Sequence, residues 1–298
     1  SRMKEKPFSK YQILANAVMI IWTLAIILPF ILLFMSSITD ENTLVANGYS
    51  FFPKKFSLAS YSYIIKSGGQ ILKAYGVSIG VTVVGTLLNV LLSALMAYPL
   101  SVKNLPGRNV MMFFVFFTML FNGGIVPSYI MWTGTFHIKD TIFAQLLPNF
   151  LLSAWNVMMI RTYFTTSIPD GLYEAAEIDG ASQFTIFWKI VLPLGKPILV
   201  TMGTFAGLAY WNDWTNGLYY IVKNTGLYNV QNLLNQMVQN IQFLTQSSNS
   251  NVTAAASTIP ATGIQMAIAF VAILPIMLIF PSFQKYYAKG IALGAVKG

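Results

Sequence analysis

Long apolar runs separated by polar breaks dominate the chain. A hydrocarbon layer about 30 Å thick needs about 20 apolar residues as helix. Six stretches meet that need, near residues 13–36, 76–101, 109–132, 141–165, 192–220 and 262–283. They are continuously apolar with no period of two, so they predict helices and not barrel strands. The fourth is interrupted by Gln145, Pro148 and Asn149, and the fifth carries Asn212 and Asp213 near its outer end. Gly123-Gly124 with Pro127 predicts a kink near the outer end of the third. Residues 1–298 are expected to form one transmembrane domain.

Composition sharpens this picture. The chain is 55% hydrophobic and only 9% charged, with mean hydropathy +0.62, against about 25% charged residues in an ordinary soluble domain. A lipid-facing exterior accommodates that much apolar surface; one water-soluble core does not. The run from Ile13 to Met35 is too long for a cleaved signal peptide and is expected to be a permanent span. The net charge of +9 lies in cations set between apolar runs, which argues for membrane orientation and against a nucleic-acid partner. With a cytoplasmic N-terminus, inner segments hold twelve cations, from Arg2 and Lys4 through Lys103, Arg108, Arg161, Lys189 and Lys196 to Lys297. Outer loops hold six: Lys54, Lys55, Lys66, Lys73, Lys139 and Lys223. Both termini are therefore expected inside.

Two outer loops are long, from about Ile38 to Tyr75 and from about Ile221 to Ala261. The first is rich in aromatics. The second is polar, with Asn229, Asn232, Asn235 and the run Gln246 to Asn251, and is either a solvated connector or a contact for an extracytoplasmic partner. Asn251-Val252-Thr253 matches a glycosylation acceptor, a pattern short enough to arise by chance.

The inner segment from Ile168 to Pro197 is too long for a simple turn. Ile168-Pro169-Asp170 reads as a helix start, with Asp170 able to cap free N–H groups. A short helix over Leu172 to Ile178 ends at Gly180, because glycine accepts the left-handed conformation that closes helices. Ser182 caps a second helix through Ile190, whose apolar face is read as Phe184, Phe187, Trp188 and Val191. Glu174 offers a charge, and Ala175 and Ala176 permit close approach of another backbone. The hairpin is either a docking element or an amphipathic linker at the membrane surface.

Glu174-Ala175-Ala176, Asp179-Gly180-Ala181 and Ile190-Val191-Leu192-Pro193 together resemble the EAA loop of binding-protein-dependent ABC importer permeases. Over nearly the whole chain the similarity is to the six-span carbohydrate branch. Phe52-Pro53-Lys54, Ala97-Tyr98-Pro99-Leu100, Trp211-Asn212-Asp213-Trp214 and the tail Gly290 to Gly298 resemble family features, and Asn122-Gly123-Gly124-Ile125-Val126-Pro127 resembles a subgroup for complex, uronate-containing oligosaccharides. Val77-Ser78 departs from the Asn-Ser of many members.

The resemblance implies an all-α type I ABC importer permease fold in a bacterial cell membrane. It implies as partners a second, different permease subunit, two ATPase subunits and an extracytoplasmic solute-binding protein, besides membrane lipid. Glu174, Ala175, Ala176, Asp179, Gly180 and Ala181 are then the expected ATPase-docking residues. ATP and Mg are expected on the partner ATPases and no cofactor on this chain, which has no Gly-x-x-x-x-Gly-Lys-Ser/Thr.

Candidates for the substrate pathway are Trp211, Asn212, Asp213, Trp214, Asn89 and Asn156. The Trp-flanked cluster is also placed to be an interfacial anchor. Asn89 and Ser93, with Asn149, Ser153 and Asn156, either line a path or bond between helices. The alternatives are a permease for a non-sugar solute, a secondary transporter, for which internal repeats are missing, and an intramembrane enzyme. For the last, no cysteine and one histidine, His137, leave a thin acid–base inventory.

Overall fold

The computed structural model describes residues 10–66, 68–246 and 261–295. The run Gln246 to Asn251, apart from Gln246, the Asn251 acceptor pattern, the basic N-terminal residues before Lys10 and the last residues of the tail lie outside them. Among the described residues helix dominates and there is no strand beyond one isolated bridge.

Two compact units emerge. One gathers described residues within Ser1–Gly68 and Gln236–Leu274, the other those within Gly69–Asn235 and Pro275–Gly298.

In the first unit, α1 (Lys10–Ser37) is long, apolar and almost wholly exposed along its length, as a lipid-facing helix must be. Its outer end meets the following loop through the bridge between Thr39 and Phe56, flanked by Asp40 N–H to Lys55 O (3.0 Å) and Ser57 N–H to Ile38 O (2.8 Å). The loop folds into α2 (Glu41–Asn47) and α3 (Ala59–Lys66). Glu41 accepts the N–H groups of Thr262 (2.9 Å) and Gly263 (2.8 Å). Those are free donors of a helix start, and a carboxylate there also opposes the helix dipole.

The second unit begins with α4 (Gly68–Ser101), eight residues longer at its N-terminus than the apolar pattern predicts. Then come α5 (Arg108–Leu120), α6 (Ile125–Ile130) with a π turn over Met131–Thr135, the single-turn α7 (Phe143–Leu146) and α8 (Ala154–Ser167). The hairpin is α9 (Asp170–Ile178), α10 (Gln183–Ile186), a π turn over Phe187–Val191 and α11 (Leu192–Leu194). It leads into α12 (Lys196–Asn212), α13 (Thr215–Tyr220) and α14 (Val230–Gln246), and the last helix is α15 (Ala261–Ala295).

Among the described residues three unbroken helices are long and apolar enough to cross a membrane: α1, α4 and the Thr262–Ile279 part of α15. Two bent pairs bring the number to five, α5 with α6 at 111° and the α10–α11 segment with α12 at 78°. The first bend falls at Gly124, whose φ of 87° needs glycine. It is far sharper than a proline kink. The stretch expected as a fourth span is not one helix: it holds the single turn of α7 and most of the 14-residue α8, which runs on to Ser167. Asn149, with φ 67°, and Pro148 keep residues 147–153 out of helix.

α4 and α12 pack closely. A Cβ at Gly85 would lie 2.5 Å from the Tyr210 ring, one at Gly203 3.2 Å from Val90 and one at Gly207 3.3 Å from Thr86. Small residues four apart let two membrane helices approach, here as Gly203-x-x-x-Gly207.

Candidate functional site

The hairpin after α8 holds the residues expected to dock an ATPase. Gly180 has φ 76° and closes α9 with a complete Schellman motif. Ala181 N–H reaches Ala176 O at 2.9 Å, and Gly180 N–H reaches Glu177 O at 3.0 Å. The Ser182 hydroxyl then accepts Thr185 N–H at 3.3 Å, capping α10. Asp170 does not act as a cap. It is the first residue inside α9, and its carboxylate receives the Lys103 ammonium at 2.5 Å.

Helical geometry sorts α9 into two faces. Tyr173 and Ala176 turn inward, Ala176 joining a core with Tyr98, Ile160, Phe164 and Phe187. Gly171, Glu174, Ala175 and Ile178, spaced i, i+3, i+4 and i+7, turn outward, with Ile178 86% exposed. The two alanines therefore differ in role: Ala175 alone offers the close-approach surface, because one residue along a helix rotates the side chain by about 100°. Asp179, Gly180 and Ala181 form the tip, the first two exposed.

The second arm departs from the sequence pattern. Ile186, Phe187 and Val191 are buried, whereas Phe184 and Trp188 are exposed, packing edge-on at 5.9 Å. The π turn over Phe187–Val191 is wider than an α turn and carries the buried face round by about one residue.

Tyr98 clamps the hairpin to the C-terminal end of α4. Its hydroxyl donates to Gln183 Oε1 (2.5 Å), and Gln183 Nε2 donates to Glu177 Oε1 (2.9 Å). Its ring lies 5.5 Å from Phe187 and stacks with Tyr173 at 6.4 Å. Arg161 Nε adds a bond from α8 to Leu100 O at 3.2 Å. Neither Tyr98 nor Gln183 stands out in the sequence as a clamp; the Ala-Tyr-Pro-Leu segment is its only trace.

At the opposite end of α12 the Trp-flanked cluster divides by burial. Trp211 and Asp213 are buried, Asn212 and Trp214 exposed. Asp213 Oδ1 accepts Thr215 N–H (3.0 Å), Thr215 Oγ1–H (2.7 Å) and Asn216 N–H (3.3 Å), starting α13. Around it runs a chain of buried amides. Asn229 Nδ2 donates to Asp213 O (2.7 Å), Asn232 Nδ2 to Trp214 O, Gln145 Nε2 to Asn232 Oδ1 (3.1 Å) and Asn216 Nδ2 to Pro148 O (3.1 Å). Asn229 and Asn232 are thus buried structural links and not solvated connector positions.

Between the two ends, Asn156 Nδ2 donates to Asn89 Oδ1 at 2.7 Å, and Asn89 Nδ2 to Phe150 O at 2.6 Å. Both side chains are buried in these interhelical bonds. A predominantly apolar cleft of ≈ 790 Å³ runs along α4 and α12, walled by Trp188 and Lys196 near the hairpin, Trp211 toward the C-terminal end of α12 and Pro275, Ile276 and Ile279 of α15. The buried hydroxyls of Thr82 and Thr86, on α4 beside it, have no hydrogen-bond partner. The candidate pathway residues therefore do not converge: Trp211 borders the cleft, while Asn89, Asn156 and Asp213 bond within the protein.

Residues 8–293 match the family of binding-protein-dependent transport system inner membrane components. The chain belongs to that family. Among similar proteins are protein LplC of Bacillus subtilis (strain 168), 36% identical over 91% of this chain and 90% of its own length, and the polygalacturonan/rhamnogalacturonan transport system permease protein YtcP of the same organism, 36% identical over 97% and 98%. A solved bacterial ABC transporter involved in import of the acidic polysaccharide alginate contains a chain that superposes with TM-score 0.79 at 25% identity, over 95% of this permease and all of that chain. The fold is that of a type I ABC importer permease, and the permease is a multi-pass component of the bacterial inner membrane. As a transport subunit of this family it is not an enzyme; ATP-driven coupling is general to such importers.

Proposed function

We propose that this permease forms half of the translocation pathway for an oligosaccharide, complex and uronate-containing ones included, and that the α9–α10 hairpin receives the stroke of a partner ATPase. The partners are a second, related permease chain, two ATPase subunits that carry ATP and Mg, and an extracytoplasmic binding protein. The observation that carries the coupling role is the pairing of an exposed stripe with a rigid backing. Gly171, Glu174, Ala175 and Ile178 face outward, while the Gly180 Schellman motif, Tyr98 and the Lys103–Asp170 pair hold the hairpin on α4 and the α4–α5 loop. A force on a loose linker would dissipate; one on this hairpin passes to the spans. ATP must favour one pore state by differential contacts, since equal binding to both shifts nothing.

The cargo reading is supported by the names of similar proteins, which mention polygalacturonan/rhamnogalacturonan and the acidic polysaccharide alginate. Its test is a reconstituted complex with the binding protein, scored for saccharides that stimulate ATP hydrolysis. Stimulation by oligosaccharides and none by amino acids or phosphate is expected; the reverse sinks the reading. For the coupling role, a cysteine at Glu174 is expected to cross-link to the ATPase. Failure to do so in an active complex removes the hairpin from the interface.

A further inference from the structure

At the end of α8 and α12 remote from the hairpin, two loops lock together. Asp140 Oδ1 accepts the N–H groups of Val222 (2.7 Å), Lys223 (2.7 Å) and Asn224 (3.2 Å), and Asp140 N–H donates to Tyr220 O (3.0 Å). The turn that presents Asp140 is strained: His137 and Asp140 are both left-handed, with φ 51° and 59°. Non-glycine residues persist there only when their surroundings over-determine them. Four hydrogen bonds from one residue do so here.

The lock places Lys139 and Lys223 on either side of one turn, both exposed. Neither forms an ion pair among the described residues. The nearby acid, Asp140, is already held by three backbone donors. Lys139 is set in place by Tyr129, whose hydroxyl accepts its ammonium at 3.1 Å and whose ring centroid lies 5.8 Å away; Tyr129 is backed by a parallel stack on the buried Tyr220. Beside them Trp132 and Phe136 pack at 5.1 Å, with Phe136 largely exposed.

We propose that this platform is an outer-face binding site for carboxylate-bearing sugars, with Lys139 and Lys223 as the residues that set its preference for anionic cargo. It rests on the reading of the cargo as an oligosaccharide. Aromatic faces alone suit the C–H face of any sugar ring. Two ammonium groups that make no ion pair among the described residues add what only an acidic sugar can use, a charge-assisted hydrogen bond to its carboxylate. The rigid turn holds the cations in place before cargo arrives, which lowers the ordering cost of binding.

The test uses the full complex in nanodiscs with its binding protein. ATPase stimulation is titrated with an oligouronide and with a neutral oligosaccharide of equal length, for wild type, Lys139→Gln, Lys223→Gln and the double variant. Exposed ion pairs of up to about 1 kcal/mol predict a two- to fivefold rise in the half-saturating oligouronide concentration for each lysine and about tenfold for both. The neutral sugar is expected to be unaffected, and Lys139→Arg to restore the oligouronide response. Equal effects on both sugars, no effect on either, or weaker binding-protein attachment without sugar would each overturn the platform; the last would make it a protein contact. If wild type responds to oligosaccharides and the variants match it, the platform alone fails. If wild type responds to none, the cargo reading fails first and the platform with it.

Discussion

The hydroxyl of Tyr98 lies 2.5 Å from Oε1 of Gln183, 85 positions later in the chain. That bond fixes the C-terminal end of α4 to the second arm of the hairpin, and Gln183 passes the link to Glu177 in the first. Tyr98→Phe keeps the ring against Tyr173 and Phe187 and removes only the hydroxyl. The loss expected is about 1 kcal/mol of local stability. Amide exchange across residues 170–191 is expected to quicken about fivefold, and transport per ATP hydrolysed to fall. Unchanged exchange in that segment would remove Tyr98 as a clamp.

Gly180 separates two kinds of damage. A Cβ there meets nothing within 4 Å, so Gly180→Ala carries only the backbone penalty of φ 76°, about 1 kcal/mol. Proline cannot adopt that φ. Gly180→Pro is expected to abolish uptake while the protein still inserts, and Gly180→Ala to retain most of it. Glu174→Lys, on the exposed stripe, is expected to insert normally and lose ATPase attachment. Vesicle uptake beside immunodetected permease distinguishes these outcomes.

The α4–α12 seam predicts a graded series. At Gly85 an added methyl would press on the Tyr210 ring, which is held by a hydroxyl bond to Leu146 O at 2.9 Å. Gly85→Ala is expected to destabilise by about 1–3 kcal/mol, as overpacking does. Gly76→Ala and Gly80→Ala, in open space, are expected to leave the melting temperature in detergent unchanged. Equal melting for all three would remove the close approach.

Asp140 gives a pH dependence of definite sign. The backbone N–H of Lys223 above all, helped by those of Val222 and Asn224 and by the Lys139 charge, outweighs desolvation and holds its carboxyl below the usual carboxylate value. A lowered pKa means that the contribution is present above the unfolded-state value and is lost as pH falls through the folded one. The lock between the two loops should therefore hold at neutral pH and release only below the ordinary Asp range. Trp132 fluorescence followed from about pH 6 to about pH 3 should change late in wild type. Asp140→Asn should show no such change.

Much of this architecture could be read from the chain. The uninterrupted apolar runs of α1, α4 and α15 are long enough to be unambiguous, and the breaks at Gly124 and Gly180 sit at positive φ, which favours glycine. The spacing from Glu174 to Pro193 located the hairpin. Single polar residues in apolar stretches were harder, because one amide carries no period. Gln145, Asn229 and Asn232 find each other across as many as 87 positions, a pairing without local signature. On the second arm the buried side is narrower than the apolar face of the sequence pattern, Phe184 and Trp188 lying exposed, because a π turn breaks the 3.6-residue period. Glu41, which caps the start of α15, is missed for the same reason as the amides: its partners are 221 and 222 positions away.

The two faces of α9 also restrict chain length. Tyr173 and Ala176 fix the helix from within, and Gly180 fixes where it ends. One residue inserted between Gly171 and Tyr173 would leave that anchor in place while turning Gly171 about 100° out of line with Glu174. One inserted between Ala176 and Gly180 would move the turn itself. Such frameshifts of the surface leave composition and hydropathy almost untouched, so this short helix should tolerate changes of residue far better than changes of residue count.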